Sequence, residues 1–249
     1  MGHIGLITRA KEESSLVVSS IFVNPTQFND PKDFEKYPNT LASDIDKLEA
    51  ADCDILFIPS VAEIYPDGAA GSVRYDLGML ETILDGHYRP GHFQGVCQVV
   101  DRLFKIVQPH QVYFGQKDYQ QCMMIKKLLS ILRLDIRMVI CPTQREATGL
   151  AMSSRNMRLS DADKIKATAI YTELNDISNA IKKGETDLVV LKQKAVNALN
   201  SQGFKTDYVE IAHADTLQLL DKWDGTSPIV TLAAAFLNGV RLIDNVIIA

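Results

Sequence analysis

With 249 residues, 46% of them hydrophobic, and a formal net charge of −5, the chain can bury the core of one large domain or two modest ones. The acidic balance, with basic residues scattered rather than striped, argues against a nucleic-acid surface. No run approaches a membrane span and the amino terminus lacks the apolar core of a signal peptide, so a cytoplasmic protein is expected.

Taken in chain order, Leu16-Val17-Val18-Ser19-Ser20-Ile21-Phe22-Val23 predicts a buried parallel strand, and Ile55 to Ile58 a second. Val96, Val99, Val100, Leu103, Phe104 and Val107 recur at helical spacing and predict a helix facing a sheet. Val112 to Phe114 and Ile136 to Cys141 read as two further strands. Such alternation implies right-handed crossovers and a parallel sheet. The boundary falls near Pro142, giving a larger domain over 1–142 and a smaller α+β domain over 143–249. In the latter, Ser160 with Asp163 reads as a capping box, and Ile170, Leu174, Ile177 and Ile181 form one apolar face ending at Gly184. A helix from Leu188 to Gln202 stops at Gly203, and Tyr208–Ile211, Ile229–Leu232 and Val240–Ile243 look like strands. Cys53, Cys97, Cys122 and Cys141 lack CxxC spacing and read as buried reduced thiols, while His87, His92 and His110 lack metal-ligand spacing. Neither GxGxxG nor a Walker A sequence occurs, so a nucleotide would have to be held without them.

Three segments carry chemistry. In Val112-Tyr113-Phe114-Gly115-Gln116-Lys117-Asp118-Tyr119-Gln120-Gln121 a strand runs into a glycine and presents a cation, a carboxylate and an amide at a helix start. That suits a phosphate and a sugar, with Lys117 beside the helix amides, Asp118 accepting from ribose, and Gln121 one turn on. The competing reading is a plain strand-to-helix turn with Asp118 as a cap. After the first strand, Asn24-Pro25-Thr26-Gln27 stands where α/β sheets bind ligands, though Asn-Pro is also ordinary turn chemistry. Met152-Ser153-Ser154-Arg155 follows Gly149 and offers hydroxyls and a forked cation to a polyphosphate. A capping serine pair with an exposed arginine is the alternative.

Together and in this order these segments resemble the pantothenate synthetases, the pantoate–β-alanine ligase family of the nucleotidyltransferase superfamily. The resemblance rests on Ser20 through Phe28, Tyr37-Pro38, Arg89-Pro90-Gly91-His92-Phe93, Tyr113 through Gln121, Met152 through Asn156, and Arg241-Leu242-Ile243-Asp244-Asn245. It implies a Rossmann-like parallel sheet with helices on both faces plus a smaller C-terminal lid domain. It also implies ATP-dependent condensation of pantoate with β-alanine through a pantoyl adenylate, with Mg²⁺ bridging phosphate oxygens. Carried over, His3, Lys117, Ser153, Ser154 and Arg155 serve the phosphates, and Gln27 and Gln121 grip pantoate. Gly115, Asp118 and Met152 receive the nucleotide, Asp44 matches a carboxylate near the magnesium, and Tyr37 and Arg89 line the site. A homodimer formed through the larger domain is implied, with no nucleic-acid or membrane partner. Family members open with a leading strand and a loop bearing two histidines. Here His3 matches the second, and the first histidine and that strand have no counterpart. Two rivals therefore stand beside the ligase: a nucleotidyltransferase that keeps its nucleotidyl product, and a truncated non-catalytic chain that binds nucleotide.

Overall fold

The structure is a computed structural model that describes residues 2–27, 40–68 and 73–248. These form two compact units, one of Met1–Gly115 with Gln120–Cys141, the other of Gln116–Tyr119 with Pro142–Ala249.

In the first unit, helix α1 (Gly2–Glu13) precedes strand β1 (Val18–Ser20), followed by α2 (Leu41–Ala50) and β2 (Ile55–Phe57). Short helices α3 (Val61–Ile64) and α4 (Asp85–Tyr88) lead to the long α5 (His92–Val107). Then come β3 (Gln111–Gly115), α6 (Tyr119–Leu132) and β4 (Arg137–Cys141). β1 pairs with β2 in parallel, Val18 opposite Ile55. β3 pairs with β4 in parallel, from Gln111 opposite Arg137 to Gly115 opposite Cys141. The expected parallel strands are thus present, as two pairs that no ladder joins among the described residues.

Both pairs share one core. Phe22, Phe57, Val112, Phe114 and Met138 pack on a cluster that includes Val96, Val100, Phe104, Met124, Ile125 and Leu128. Val112 and Phe114 therefore face α5 and α6, and strand alternation turns Tyr113 to the other side. There its hydroxyl reaches Glu13 at 3.2 Å and Ser14 at 3.3 Å, at the end of α1. Helices accordingly cover both faces of the β3–β4 pair. The helical spacing of Val96 to Val107 is realised in α5, where Val96, Val99, Val100 and Phe104 are buried. β1 is shorter than its apolar run, because the ladder ends with Ile21 N–H donating to the Phe57 carbonyl and the chain then turns at Asn24-Pro25.

The second unit is α+β. Ser160 caps α7 (Asp161–Ala167) by accepting from the Asp163 N–H, and the Ser160 hydroxyl itself donates to the Asp163 carboxylate at 2.8 Å. α8 (Ala169–Lys182) buries Ile170, Leu174, Ile177 and Ile181, the face anticipated from spacing. α9 (Leu188–Ser201) buries Leu188, Leu191, Ala195 and Leu199. Each large aliphatic side chain among these contributes roughly 1.5–3 kcal/mol on burial. They cover an antiparallel sheet of β5 (Lys205–His213), β6 (Ile229–Leu237) and β7 (Val240–Ile248), in the order β5-β6-β7. All three strands outrun their sequence signals. Ala233-Ala234-Ala235 has weak strand propensity, yet cross-strand pairing on both sides keeps it extended and fully buried. β6 and β7 meet at Asn238-Gly239, both at positive φ (48° and 77°), the pairing that a two-residue hairpin requires.

Candidate active site

After Gly115 the chain forms a tight turn over Gln116–Asp118, which packs with the second unit. A Cβ placed on Gly115 would meet nothing within 4 Å among the described residues and its φ lies outside the left-handed region, so neither crowding by them nor conformation explains a glycine here. Open space beside a backbone is what a closely approaching ligand needs. Lys117 is sheltered, with its side chain 18% exposed and Nζ 3.5 Å from an Asp118 carboxylate oxygen, while Asp118 is 48% exposed. A cation and a carboxylate thus stand side by side at the start of α6.

Asn245, on β7, holds this turn. Its amide nitrogen donates to the carbonyls of Gln116 (2.9 Å) and Lys117 (3.0 Å), and its oxygen accepts from Gln116 Nε2 (3.1 Å). Beside it Asp244, also buried, takes a two-pronged contact from Arg145 at 2.6 and 2.8 Å. The Arg145 guanidinium lies 3.6 Å from the centre of the Tyr171 ring and also donates to the Gly149 carbonyl at 3.0 Å. Gly149 sits at φ +93°, and a Cβ there would press on Tyr171 at 3.1 Å.

This loop is a small hairpin in which Arg145 bridges Ala151 and the Met152 N–H donates to the Gln144 carbonyl. It delivers Met152, Ser153, Ser154 and Arg155, all half-buried. Ser153 accepts from the Arg155 N–H at 3.2 Å, so the capping geometry anticipated as the plainer reading is present. Arg155 is not the exposed side chain of that reading. Asn156 anchors the segment by donating to the Ala151 carbonyl at 3.0 Å.

The first unit carries Gln27 and Gln121. Asn24, 1% exposed, donates to the Gly95 carbonyl at 3.0 Å, while its oxygen accepts from the Thr26 N–H, the Thr26 hydroxyl and the Tyr65 hydroxyl. The turn chemistry is thus present: a buried asparagine ties the turn over Pro25–Gln27 to the first turn of α5, and Gln27 stands at its last position. Burial raises the Tyr65 hydroxyl above its ordinary value, opposed by the Thr26 and Asn24 contacts. Gln121 is half-buried on α6, whereas its neighbour Gln120 is buried and accepts from the Asp85 N–H (2.9 Å) while donating to the Leu80 and Ile83 carbonyls (2.8 and 2.9 Å). The held loop includes Leu84 at φ +49°, a conformation that a branched side chain adopts only at a cost of about 1–3 kcal/mol. From it Arg89 extends to within 3.0 Å of His92 Nε2.

His3 is exposed on α1. Asp44 lies in the first turn of α2, accepts from the Thr40 hydroxyl at 2.8 Å and pairs with Lys47 at 3.4 Å. Among the described residues no group of three His, Cys, Asp or Glu side chains could hold a metal ion. A protein-built cation cage therefore does not fit these residues. Tyr37 lies outside the described residues. Among the described residues no disulfide forms; Cys97, Cys122 and Cys141 are buried and Cys53 is half-buried. Among the described residues no helix is long and apolar enough to cross a membrane. Pattern reading passes over Gln116, Gln120, Arg145, Tyr171 and the role of Asp244-Asn245. The available signal is the polar pair inside an apolar strand.

Residues 1–247 match the family model described as pantoate-beta-alanine ligase. The chain is 46% identical over 248 residues to a pantothenate synthetase of Cytophaga hutchinsonii, covering 99% of this chain and 87% of that protein. It is 48% identical over 244 residues to one of Pseudomonas fluorescens, covering 98% and 85%. Among solved structures, pantothenate synthetase from Thermus thermophilus matches with a TM-score of 0.91 at 39% identity, over 98% of this chain and 88% of that one. The ligase from Francisella tularensis, complexed with beta-gamma ATP and beta-alanine, matches with a TM-score of 0.81 at 40% identity, over 98% and 84%.

Proposed function

The chain belongs to the pantoate–β-alanine ligase family, enzymes that join pantoate to β-alanine through a carbon–nitrogen bond with consumption of ATP, and we propose how its own residues divide that work. The pantoate carboxylate attacks the α-phosphorus of ATP, forming pantoyl adenylate and expelling pyrophosphate. The amine of β-alanine then attacks the acyl carbon, loses a proton and displaces AMP. Neither step needs a protein nucleophile. Both need positioning and neutralisation, because a triphosphate repels an incoming carboxylate.

Lys117, Ser153, Ser154, Arg155 and His3 are proposed as the phosphate donors. Asp118 is assigned to the ribose, Gly115 to close approach of the nucleotide, and Met152 to the face of the base. Gln27 and Gln121 grip pantoate, since amides offer donors and acceptors to a hydroxy acid without adding charge. Arg89 is proposed to line the site. Asp44 is proposed as the protein carboxylate that would meet a magnesium ion carried by the nucleotide, which would supply charge neutralisation. The half-exposed apolar Leu16, Ile55 and Ile58 around the β1–β2 pair support a homodimer through the first unit, and a cytoplasmic site of action goes with these substrates.

The observation that carries the assignment is the Gln116–Asp118 turn, with a sheltered lysine and an exposed aspartate beside an unhindered glycine. Pantoate-dependent pyrophosphate release from ATP, followed by β-alanine-dependent AMP release, tests it. Lys117→Ala should cost about 2–4 kcal/mol of transition-state stabilisation in the first step; a near-normal rate removes that role. Gln27→Ala and Gln121→Ala should raise the pantoate KM, and unchanged pantoate affinity would end the grip assignment. Pyrophosphate release without amine-dependent AMP release would identify a nucleotidyltransferase instead.

A further inference from the structure

β7 alternates between inward and outward side chains until Asp244 and Asn245, where two successive polar residues are both buried, at 5% and 2% exposure. Successive strand residues point to opposite faces, so this dipeptide reaches two different places at once. Asp244 meets Arg145 at the base of the hairpin that leads to Met152–Arg155. Asn245 meets the turn that carries Lys117 and Asp118. The two are also coupled directly, since the Asn245 N–H donates to Asp244 Oδ1 at 2.8 Å.

Buried polar groups in a sheet are costly unless fully partnered, and an apolar pair would serve the sheet as well. What an apolar pair could not do is fix two particular loop backbones. The Asn245 amide nitrogen donates to consecutive carbonyls of one turn, a grip that sets its position and its rotation together. Because it engages carbonyls, the amide nitrogen consumes none of the turn's backbone N–H donors.

We infer that Asp244 and Asn245 act as a positioning pair that sets the spacing between the Lys117–Asp118 turn and the Met152–Arg155 segment, and so determines affinity for the nucleoside triphosphate without touching it. The inference rests on the assignment of those two segments to the nucleotide. It predicts an asymmetric defect: nucleotide binding suffers and pantoate binding does not, since Gln27 and Gln121 hang on other anchors.

The test uses the full chain with Asn245→Ala, Gln116→Ala and the double variant. Calorimetry gives the ATP Kd, and pantoate-dependent ATP–pyrophosphate exchange gives both KM values. Asn245→Ala should weaken ATP binding about tenfold or more, roughly the loss of one well-made hydrogen bond set. Gln116→Ala should weaken it a few-fold, and the double variant should fall within about twofold of Asn245→Ala, because both remove one shared contact. The pantoate KM should stay within about twofold throughout. Unchanged ATP affinity with activity falling only as the folded fraction falls would overturn the inference, and so would parallel rises in both KM values. Should Asn245→Ala not fold, Gln116→Ala decides alone: an unaltered ATP Kd overturns the inference. A wild type that binds ATP without exchange defeats the ligase assignment and leaves the positioning pair standing on the Kd shifts; a wild type that does not bind ATP defeats both.

Discussion

Replacing Arg145 by Met removes a guanidinium that pairs with Asp244 through both terminal nitrogens, donates to the Gly149 carbonyl and lies over the Tyr171 ring. The Arg145 side chain is 18% exposed and that of Asp244 5%, so the pair is largely shielded from water. Stripping one partner from such a pair leaves a buried charge and costs about 3–5 kcal/mol, much of it the penalty on the survivor. In a protein of this size each kcal/mol lowers the melting temperature by about 2–4 °C, so a fall of roughly 10 °C is expected. Asp244→Asn should cost a comparable amount for the opposite reason, a guanidinium without its carboxylate. The double variant Arg145→Met with Asp244→Asn abandons no charge and should recover at least about 2 kcal/mol relative to the sum of the singles. Urea unfolding of the four proteins followed by circular dichroism measures the cycle. Costs that add to within about 0.5 kcal/mol would show that the two side chains do not support one another, and the account of the hairpin base would be wrong.

Gln120→Leu should remove the side-chain partner of the Asp85 N–H and of the Leu80 and Ile83 carbonyls, the last of which keeps the Gly86 N–H, costing about 2–4 kcal/mol; hydrogen exchange at residues 80–88 should accelerate before any other part of the first unit, and uniform acceleration would contradict the assignment. Gly86→Ala would drive a methyl into the Glu81 carbonyl oxygen and should lose about 1–3 kcal/mol, readable as a shift in melting temperature. Alkaline pH should destabilise the first unit. Burial, with a smaller push from Glu81, raises the Cys97 thiol from 9.0 to about 12, and burial with the Asp101 hydrogen bond raises the Tyr75 hydroxyl. A group whose folded value lies above its unfolded value stabilises fully below the unfolded one. Cys97 therefore contributes in full below pH 9, and up to roughly 4 kcal/mol is lost as pH rises towards 12. Cys97→Ala should flatten that slope, and an unchanged slope would assign it elsewhere.

Periodic signals in the sequence carry into the fold wherever one face has to be buried. The spacing of Val96 to Val107 becomes α5, and Ile170, Leu174, Ile177 and Ile181 become the buried stripe of α8. Signals fail where partners at long range supply the reason. Nothing local makes Ala233-Ala234-Ala235 a strand, and its two neighbours do. Asn238-Gly239 is the exception, a local hairpin signal that a reading by apolar runs overlooks. The same contrast holds for the candidate site. Lys117 and Gln27 stand out because each follows a strand, the place where a chain can present a side chain to a ligand. Gln120, Arg145 and Asn245 look like ordinary polar residues until the groups they satisfy, 35 to 129 positions away, are in view.

The tetrapeptide Gln116–Tyr119 packs with the second unit although the chain on either side of it belongs to the first. A fragment excised at Pro142 would retain Asn245 but lose the carbonyls it holds, and would strip the Ala214 carbonyl of the Tyr119 hydroxyl that donates to it at 2.8 Å. Chimeras between relatives should therefore exchange residues 116–119 together with 142–249. A crossover at the boundary alone would mate a foreign turn to a native clamp.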